Sequence, residues 1–155
     1  MKGHAKIIEK LNDLLSDELT AINQYIVHSE MCANWRYDHL HEADEKRAID
    51  EMKHAESLIA RIIFLEGMPI VSNLKSIHIG KTVDEQHDSD RKSEEMAIAS
   101  YNDGIRLAVE LGDNGTRELL ESILKDEEAH LDWLEAQLVQ IQQMGLQNYL
   151  SEQVG

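Results

Sequence analysis

Apolar positions along this chain recur at alternating spacings of four and three. In the first segment Leu11, Leu15, Glu18, Ile22 and Tyr25 follow that rhythm, which is the stripe of a helix packed in a bundle. A second stripe runs through Glu51, His54, Leu58 and Leu65, and a third through Glu94, Ile98, Tyr101, Ile105 and Ala108. The fourth takes in Leu120, Leu124, Glu127, Leu131, Leu134, Leu138 and Ile141. The pattern predicts four long helices. If they pair as hairpins with their glutamates level, turns fall near Asn34–Trp35 and near Glu110–Leu111, the second beside the turn signal Leu111-Gly112-Asp113-Asn114-Gly115-Thr116. Gly67-Met68-Pro69 stops the second helix and Thr82-Val83-Asp84-Glu85 reads as a capping box opening the third. The stretch between, Met68 to Lys81, can reach about 46 Å at roughly 3.3 Å per residue, the length of a helix of about 30 residues. It can therefore run the length of the bundle. Gly145 ends the fourth helix, and Leu146, Tyr149 and Leu150 predict a short amphipathic tail helix that needs a partner surface. The expected architecture is all-α, one domain over residues 1–155: a four-helix bundle with one long crossover between helices two and three, plus a short C-terminal helix.

Each stripe carries ionisable residues. Glu51-Met52-Lys53-His54 and Glu127-Glu128-Ala129-His130 are two copies of Glu-x-x-His set 76 residues apart, and each has a lone glutamate 33 residues before it, Glu18 and Glu94. The same shift superposes Ala21 on Ala97, Ile22 on Ile98, Tyr25 on Tyr101, Asp50 on Asp126 and Leu58 on Leu134. The chain thus reads as two similar halves, each contributing Glu, Glu and His. Residues three apart on a helix differ by about 60° in azimuth and about 4.5 Å in height, so such a Glu and His can grip one ion together. Burying four ionised carboxylates uncompensated costs several kcal/mol each, which rivals the roughly 5–15 kcal/mol by which a domain is stable. Two divalent cations balance four carboxylates while both histidines stay neutral. The set predicts a dinuclear centre held by Glu18, Glu51, His54, Glu94, Glu127 and His130, the arrangement of di-iron and di-manganese carboxylate proteins. Oxygen and imidazole donors without thiolate fit iron or manganese, and softness alone does not separate them. Tyr25 and Tyr101 each lie seven residues beyond Glu18 and Glu94, so both rings should face the site, as hydrogen-bonding partners of the carboxylates.

Composition narrows the classes. Only one proline and eight glycines interrupt the chain, and its net charge is −15, which excludes nucleic acid as a partner and favours cations. A single cysteine, Cys32, excludes an internal disulfide framework and any Cys-x-x-Cys site. It reads as a small buried apolar residue. No apolar stretch approaches the roughly 20 residues that span a bilayer, so the expectation is a soluble, cytoplasmic protein without a membrane partner. His4, His28, His39, His41, His78 and His87 have no carboxylate at ligand spacing on a stripe and are expected at solvated or interface positions. The acidic run from Asp84 to Glu95 reads as a solvated helix start favoured by the macrodipole.

The opening helix Leu15-Ser16-Asp17-Glu18-Leu19-Thr20-Ala21-Ile22-Asn23-Gln24-Tyr25, the stretch Glu51-Met52-Lys53-His54-Ala55-Glu56 and Asp126-Glu127-Glu128-Ala129-His130 resemble the motifs of the bacterioferritins, and the resemblance covers essentially the whole chain. It implies a ferritin-like di-iron domain that assembles from dimers into a shell of 24 subunits. Such a shell oxidises Fe(II) with O2 or H2O2 at two iron ions per subunit and stores ferric mineral inside. It implies Glu51 and Glu127 as the bridging carboxylates. It also implies haem b or a related iron porphyrin shared between two subunits through Met52 of each, and a small ferredoxin as reductant for iron release. Met52 is rotated about 100° from Glu51, away from the bundle centre and toward a neighbour. Lys46 stands where certain relatives carry an iron-binding histidine on the cavity wall, and Leu58 offers no redox-active ring. Trp133 reads as packing rather than as a redox relay.

Overall fold

Each predicted stripe lies on one helix. The computed structural model describes residues 1–155 and contains α1 (Ala5–Asn34), α2 (Asp38–Phe64), α3 (Val83–Glu110), α4 (Asn114–Met144) and α5 (Leu146–Ser151). The short links at 35–37 and 111–113 fold α1 back on α2 and α3 back on α4, and the two hairpins meet mainly through α1 and α3. No helix is long and apolar enough to cross a membrane. Both hairpin turns fall where the level-glutamate argument puts them.

Three helices end in the same way. Arg36, Glu66 and Gly112 adopt left-handed conformations with φ of 66°, 64° and 69°. The next amide in each case returns to the carbonyl five residues back: Tyr37 to Cys32 at 3.0 Å, Gly67 to Ile62 at 2.9 Å and Asp113 to Ala108 at 2.8 Å. These bonds satisfy carbonyls that a helix end would otherwise leave bare. At Arg36 and Glu66 the motif forms without glycine, at a cost of about 1–2 kcal/mol each. That is why the first turn carried no glycine signal. The predicted capping box differs in detail. Thr82 is the N-cap of α3 without a side-chain cap bond, and Glu85 accepts instead from the Lys81 amide at 2.9 Å.

One end of the bundle is filled by an apolar cluster that includes Ile7, Leu11, Leu14, Leu58, Ile62 and Leu120. The other end is built around Cys32, Leu40, Val83 and Tyr149, with Trp35, Tyr37 and Trp133 packed against them. Tyr149 is how α5 finds its partner surface, which is the end of its own bundle. Its ring is fully buried, and its hydroxyl donates to Gln137 Oε1 at 2.6 Å. Cys32 is buried as expected, and burial beside Asp44 and Asp90 pushes its thiol up to about 12.

The crossover follows α1 in the same direction, held by a row of polar side chains one turn apart. Asn12 takes the Ile70 amide (2.8 Å) and donates to the Met68 carbonyl (3.1 Å). Ser16 donates to the Asn73 carbonyl (2.9 Å), and Thr20 accepts from the Lys75 amide (2.8 Å). Gln24 accepts from the His78 amide and His28 from the Gly80 amide, both at 3.1 Å. Residues four apart lie on one helix face, so α1 turns one stripe to the core and a second, polar one to the crossover. His28 is fully buried, as is its other partner Asp90, 3.0 Å from Nδ1. Both depart from expectation. His28 is neither solvated nor at an interface, and Asp90, like Glu94, is a buried member of the acidic run.

His87 is likewise buried rather than solvated. Tyr149 has given its hydroxyl proton to Gln137, so His87 donates from Nε2 to that oxygen at 3.0 Å. Nδ1 is then a bare, buried nitrogen with no partner. A proton there would be unsolvated. Burial, helped by the charges of His28 and Arg47 and opposed by Asp84, holds the imidazole down to about 4 from an ordinary 6.5. The unfolded chain binds the proton below pH 6.5 and the folded one does not until about pH 4, so stability is full above 6.5 and falls as pH drops through that window. The loss at this one site is about 3 kcal/mol. His87→Gln should therefore flatten the acid-side decline in melting temperature between pH 6.5 and 4.5 measured by calorimetry. Unchanged slopes would assign that decline to other groups.

Candidate metal centre

Midway along the bundle the two hairpins bring six side chains together. Glu18 comes from α1, Glu51 and His54 from α2, Glu94 from α3, and Glu127 and His130 from α4. All are buried. They form two donor sets, Glu18–Glu51–His54–Glu127 and Glu51–Glu94–Glu127–His130, each with its atoms within 4.8 Å of one another. Glu51 and Glu127 belong to both. His54 Nδ1 lies 2.9 Å from Glu127, 3.6 Å from Glu18 and 3.7 Å from Glu51. His130 Nδ1 lies 3.1 Å from Glu51 and 3.6 Å from Glu94.

These contacts leave the inward atoms unsatisfied. Of eleven buried side-chain nitrogens and oxygens without a hydrogen-bond partner in the protein, seven belong to these six residues, including both oxygens of Glu127 and Nδ1 of both histidines. Buried polar atoms are otherwise almost always paired, so so many orphans aimed at one space fit a pair of cations. Without them the charges strain against one another. Burial, then the neighbouring Glu18 and Glu127, pushes Glu51 well above the usual carboxylate range. Burial and Glu94 do the same to Glu127. For Glu94, burial is outweighed by contacts with Glu127, His130 and Tyr25, which hold its carboxyl down. Burial of His54 is outweighed by its contacts with Glu127 and Glu18, which push it up to about 11. A metal ion at Nδ1 would displace a proton held there.

Every outer contact crosses from one half of the chain to the other. Tyr25 of α1 donates to Glu94 of α3 at 2.5 Å, and Tyr101 of α3 donates to Glu18 of α1. His54 Nε2 meets Asp126 at 2.8 Å, and His130 Nε2 meets Asp50 at 3.3 Å. A carboxylate on the far nitrogen fixes the tautomer that leaves Nδ1 free to bind an ion and makes it more basic. The sequence reading reached both tyrosines and all six inward residues. It superposed Asp50 on Asp126 without giving them a role; the signal was the repeated Asp-Glu-x-x-His. The centre is also two-sided. A cavity of about 320 Å³ between α1, α3 and the crossover is lined by all four glutamates but neither histidine. Met52 stands apart from the cluster, 45% exposed on the outside of α2. Leu58 is fully buried in the apolar core, and Trp133 packs edge-on against His87 beneath the Arg47 guanidinium.

A bundle of two hairpins related by an internal repeat, with Glu, Glu and His from each half, defines the ferritin-like class, and residues 8–144 match the family described as Ferritin-like domain. Among characterised proteins the chain is 41% identical over 149 residues to the bacterioferritin of Brucella melitensis, covering 96% of this chain and 92% of that one. It is 38% identical over 152 residues to the bacterioferritin of Mycobacterium leprae, covering 98% and 96%. It is 38% identical over 149 residues to that of Rhodobacter capsulatus, covering 96% and 92%. The chain belongs to the bacterioferritin family.

Glu127→Gln keeps the shape of the side chain and removes a carboxyl whose ionised form burial and Glu94 disfavour in spite of His54 at 2.9 Å. It should raise the melting temperature of the metal-free protein by several degrees, at about 2–4 °C per kcal/mol, and abolish most of the rise that Co(II) gives the wild type. A variant that melts lower without metal would show that the carboxylate is already compensated.

Proposed function

We propose that the protein is an iron-storage ferroxidase. Two Fe(II) ions are its substrates at the six-residue centre, Glu51 and Glu127 reaching both and His54 and His130 closing the two ends. O2 takes one electron from each ion, and with two protons leaves as H2O2; where H2O2 is the oxidant, the same two electrons and two protons give two waters. The ferric product is stored as mineral inside a hollow shell. The observation that carries this reading is the set of seven unpartnered donor atoms converging from four helices, a surplus of buried negative charge that is relieved when two cations occupy it.

The chain's own residues do the positioning. Asp126 and Asp50 hold the histidines with Nδ1 turned inward, and Tyr25 and Tyr101 steady Glu94 and Glu18 by donating hydrogen bonds that remain when a metal takes the other carboxylate oxygen. The buried setting strengthens each of these contacts.

Assembly into a shell of 24 built from dimers is supported by apolar side chains left in solvent: Ile26, Ile49 and Phe64 on α1 and α2, and Val71 and Leu74 on the crossover. Haem b, or a related iron porphyrin, fits at Met52. Met52, a thioether exposed on the outer side of α2 with Ile49 one turn before it also exposed, would hold the haem together with the same residue of a second copy of the chain. Held there, such a group would supply one-electron chemistry for reductive release of iron, with a small ferredoxin as the reductant. The setting proposed is the cytoplasm.

Fe(II) titration in air should show a rapid phase ending at two iron per chain on a particle of 24 chains. Glu18→Ala should slow that phase by about a hundredfold or more, the loss of one of few donors to the ion, with the particle intact by size exclusion; unchanged kinetics would remove the assignment. The Met52→Leu protein, reconstituted with haem, should lack the Soret band of a bis-methionine complex while oxidising iron normally. A wild-type spectrum from that variant would place the porphyrin elsewhere.

A further inference from the structure

The cavity that reaches the four glutamates has an asymmetric mouth. Fourteen residues line it, and Lys75 is the one lysine or arginine among them. Its placement is not that of a loose surface side chain. The backbone amide of Lys75 is fixed to Thr20 Oγ1 at 2.8 Å. From that anchor the ammonium turns back along α1 to Asp17, which lines the same cavity, and to Asp13 Oδ1 at 2.9 Å and the Asp13 carbonyl at 3.4 Å. Asp17 precedes Glu18 in the chain, so the carboxylate that Lys75 covers stands next to the first donor of the centre. Deeper in the same cavity are the orphaned oxygens of Glu18, Glu51, Glu94 and Glu127. His78 is the other lining residue able to carry a positive charge, and its backbone amide is held by Gln24 Oε1 at 3.1 Å.

We infer that this cavity admits hydrated divalent cations to the centre and that Lys75 is its gate: the ammonium occupies Asp17 when no cation is there, and an incoming cation takes its place on that carboxylate. The inference rests on the reading of the six residues as a metal centre. It has a physical logic beyond attraction. A bare Asp17 would hold a cation at the mouth, whereas one shared with a tethered ammonium binds the cation only in passing. The tether matters because Thr20 and the crossover keep the lysine within reach after displacement, so it can return once the ion has moved inward. Lys75 and Asp17 set the rate of admission, and neither sets how many ions the centre holds.

The test is stopped-flow binding of Co(II) to the full assembled protein without oxygen, read by the visible absorption of the bound ion, alongside equilibrium titration. Lys75→Met should speed association by about threefold to tenfold at low salt, the scale of local electrostatic steering, and steepen its dependence on ionic strength. Asp17→Asn should slow it, and Lys75→Met added to Asp17→Asn should bring no further acceleration. Lys75→Arg should behave as wild type. All should still take up two Co(II) per chain. Should Lys75→Met disturb the crossover, Lys75→Gln provides the same charge change with a polar tip. Equal association rates in the variants with two Co(II) still bound would overturn the gate alone. Failure of the wild type to bind a Co(II) pair would instead overturn the metal centre, and the gate with it.

Discussion

Four glutamates in one buried seam are the constraint around which the molecule is arranged. Helix packing places them there, yet nothing in the protein neutralises them fully, and the seven orphaned atoms record the deficit. A buried charge without a partner destabilises more than a buried pair stabilises, so the centre opposes the folding of the metal-free chain. The rest of the structure offsets it. Leucines and isoleucines such as Leu11, Leu14, Leu58 and Ile62 fill one end. At the other, Tyr149 and the aromatic residues around it clamp α4 and α5 against the first hairpin.

The crossed contacts show why two similar halves are needed. Tyr25 serves Glu94 and Tyr101 serves Glu18, while Asp126 orients His54 and Asp50 orients His130. Neither hairpin completes its own donor set, so the centre exists only when the halves dock. Docking and site formation are therefore one event, and a metal ion bound across the seam would act as a cross-link between the hairpins. The two sides of the seam also differ: carboxylates face the cavity between α1 and α3, and imidazoles face the aspartates on the other pair of helices.

How much of this the sequence disclosed follows from what repeats in it. The helices, both turns and the six inward residues were legible because each rests on a period: 3.6 residues for a buried face, 76 for the internal duplication. Tyr25 and Tyr101 came with them. What stayed hidden has no period along the chain. Asp90 and His28 look like surface residues until Gly80 and Gln24, distant in sequence, arrive as partners. His87 reads as solvated because the tail that covers it lies 62 residues away. The polar row on α1 does have a period, of four, but a row of Asn, Ser, Thr, Gln and His reads as a wet face unless the crossover is known to lie on it. Arg36 and Glu66 hold conformations that composition assigns to glycine, so the end of α1 could be placed only from the spacing of the glutamates, whereas Gly67-Met68-Pro69 marked the end of α2.

That polar row changes what kind of segment the crossover is. Surface connections ordinarily absorb inserted or deleted residues with little consequence. Here the backbone of residues 68–80 is matched group by group to side chains that recur with the pitch of α1. One extra residue between Ile70 and Gly80 would shift every later amide out of phase with its acceptor, and the far end would miss His28. The helix thus serves as a ruler. Across related chains such a segment should vary freely in side chains that face outward and hardly at all in length.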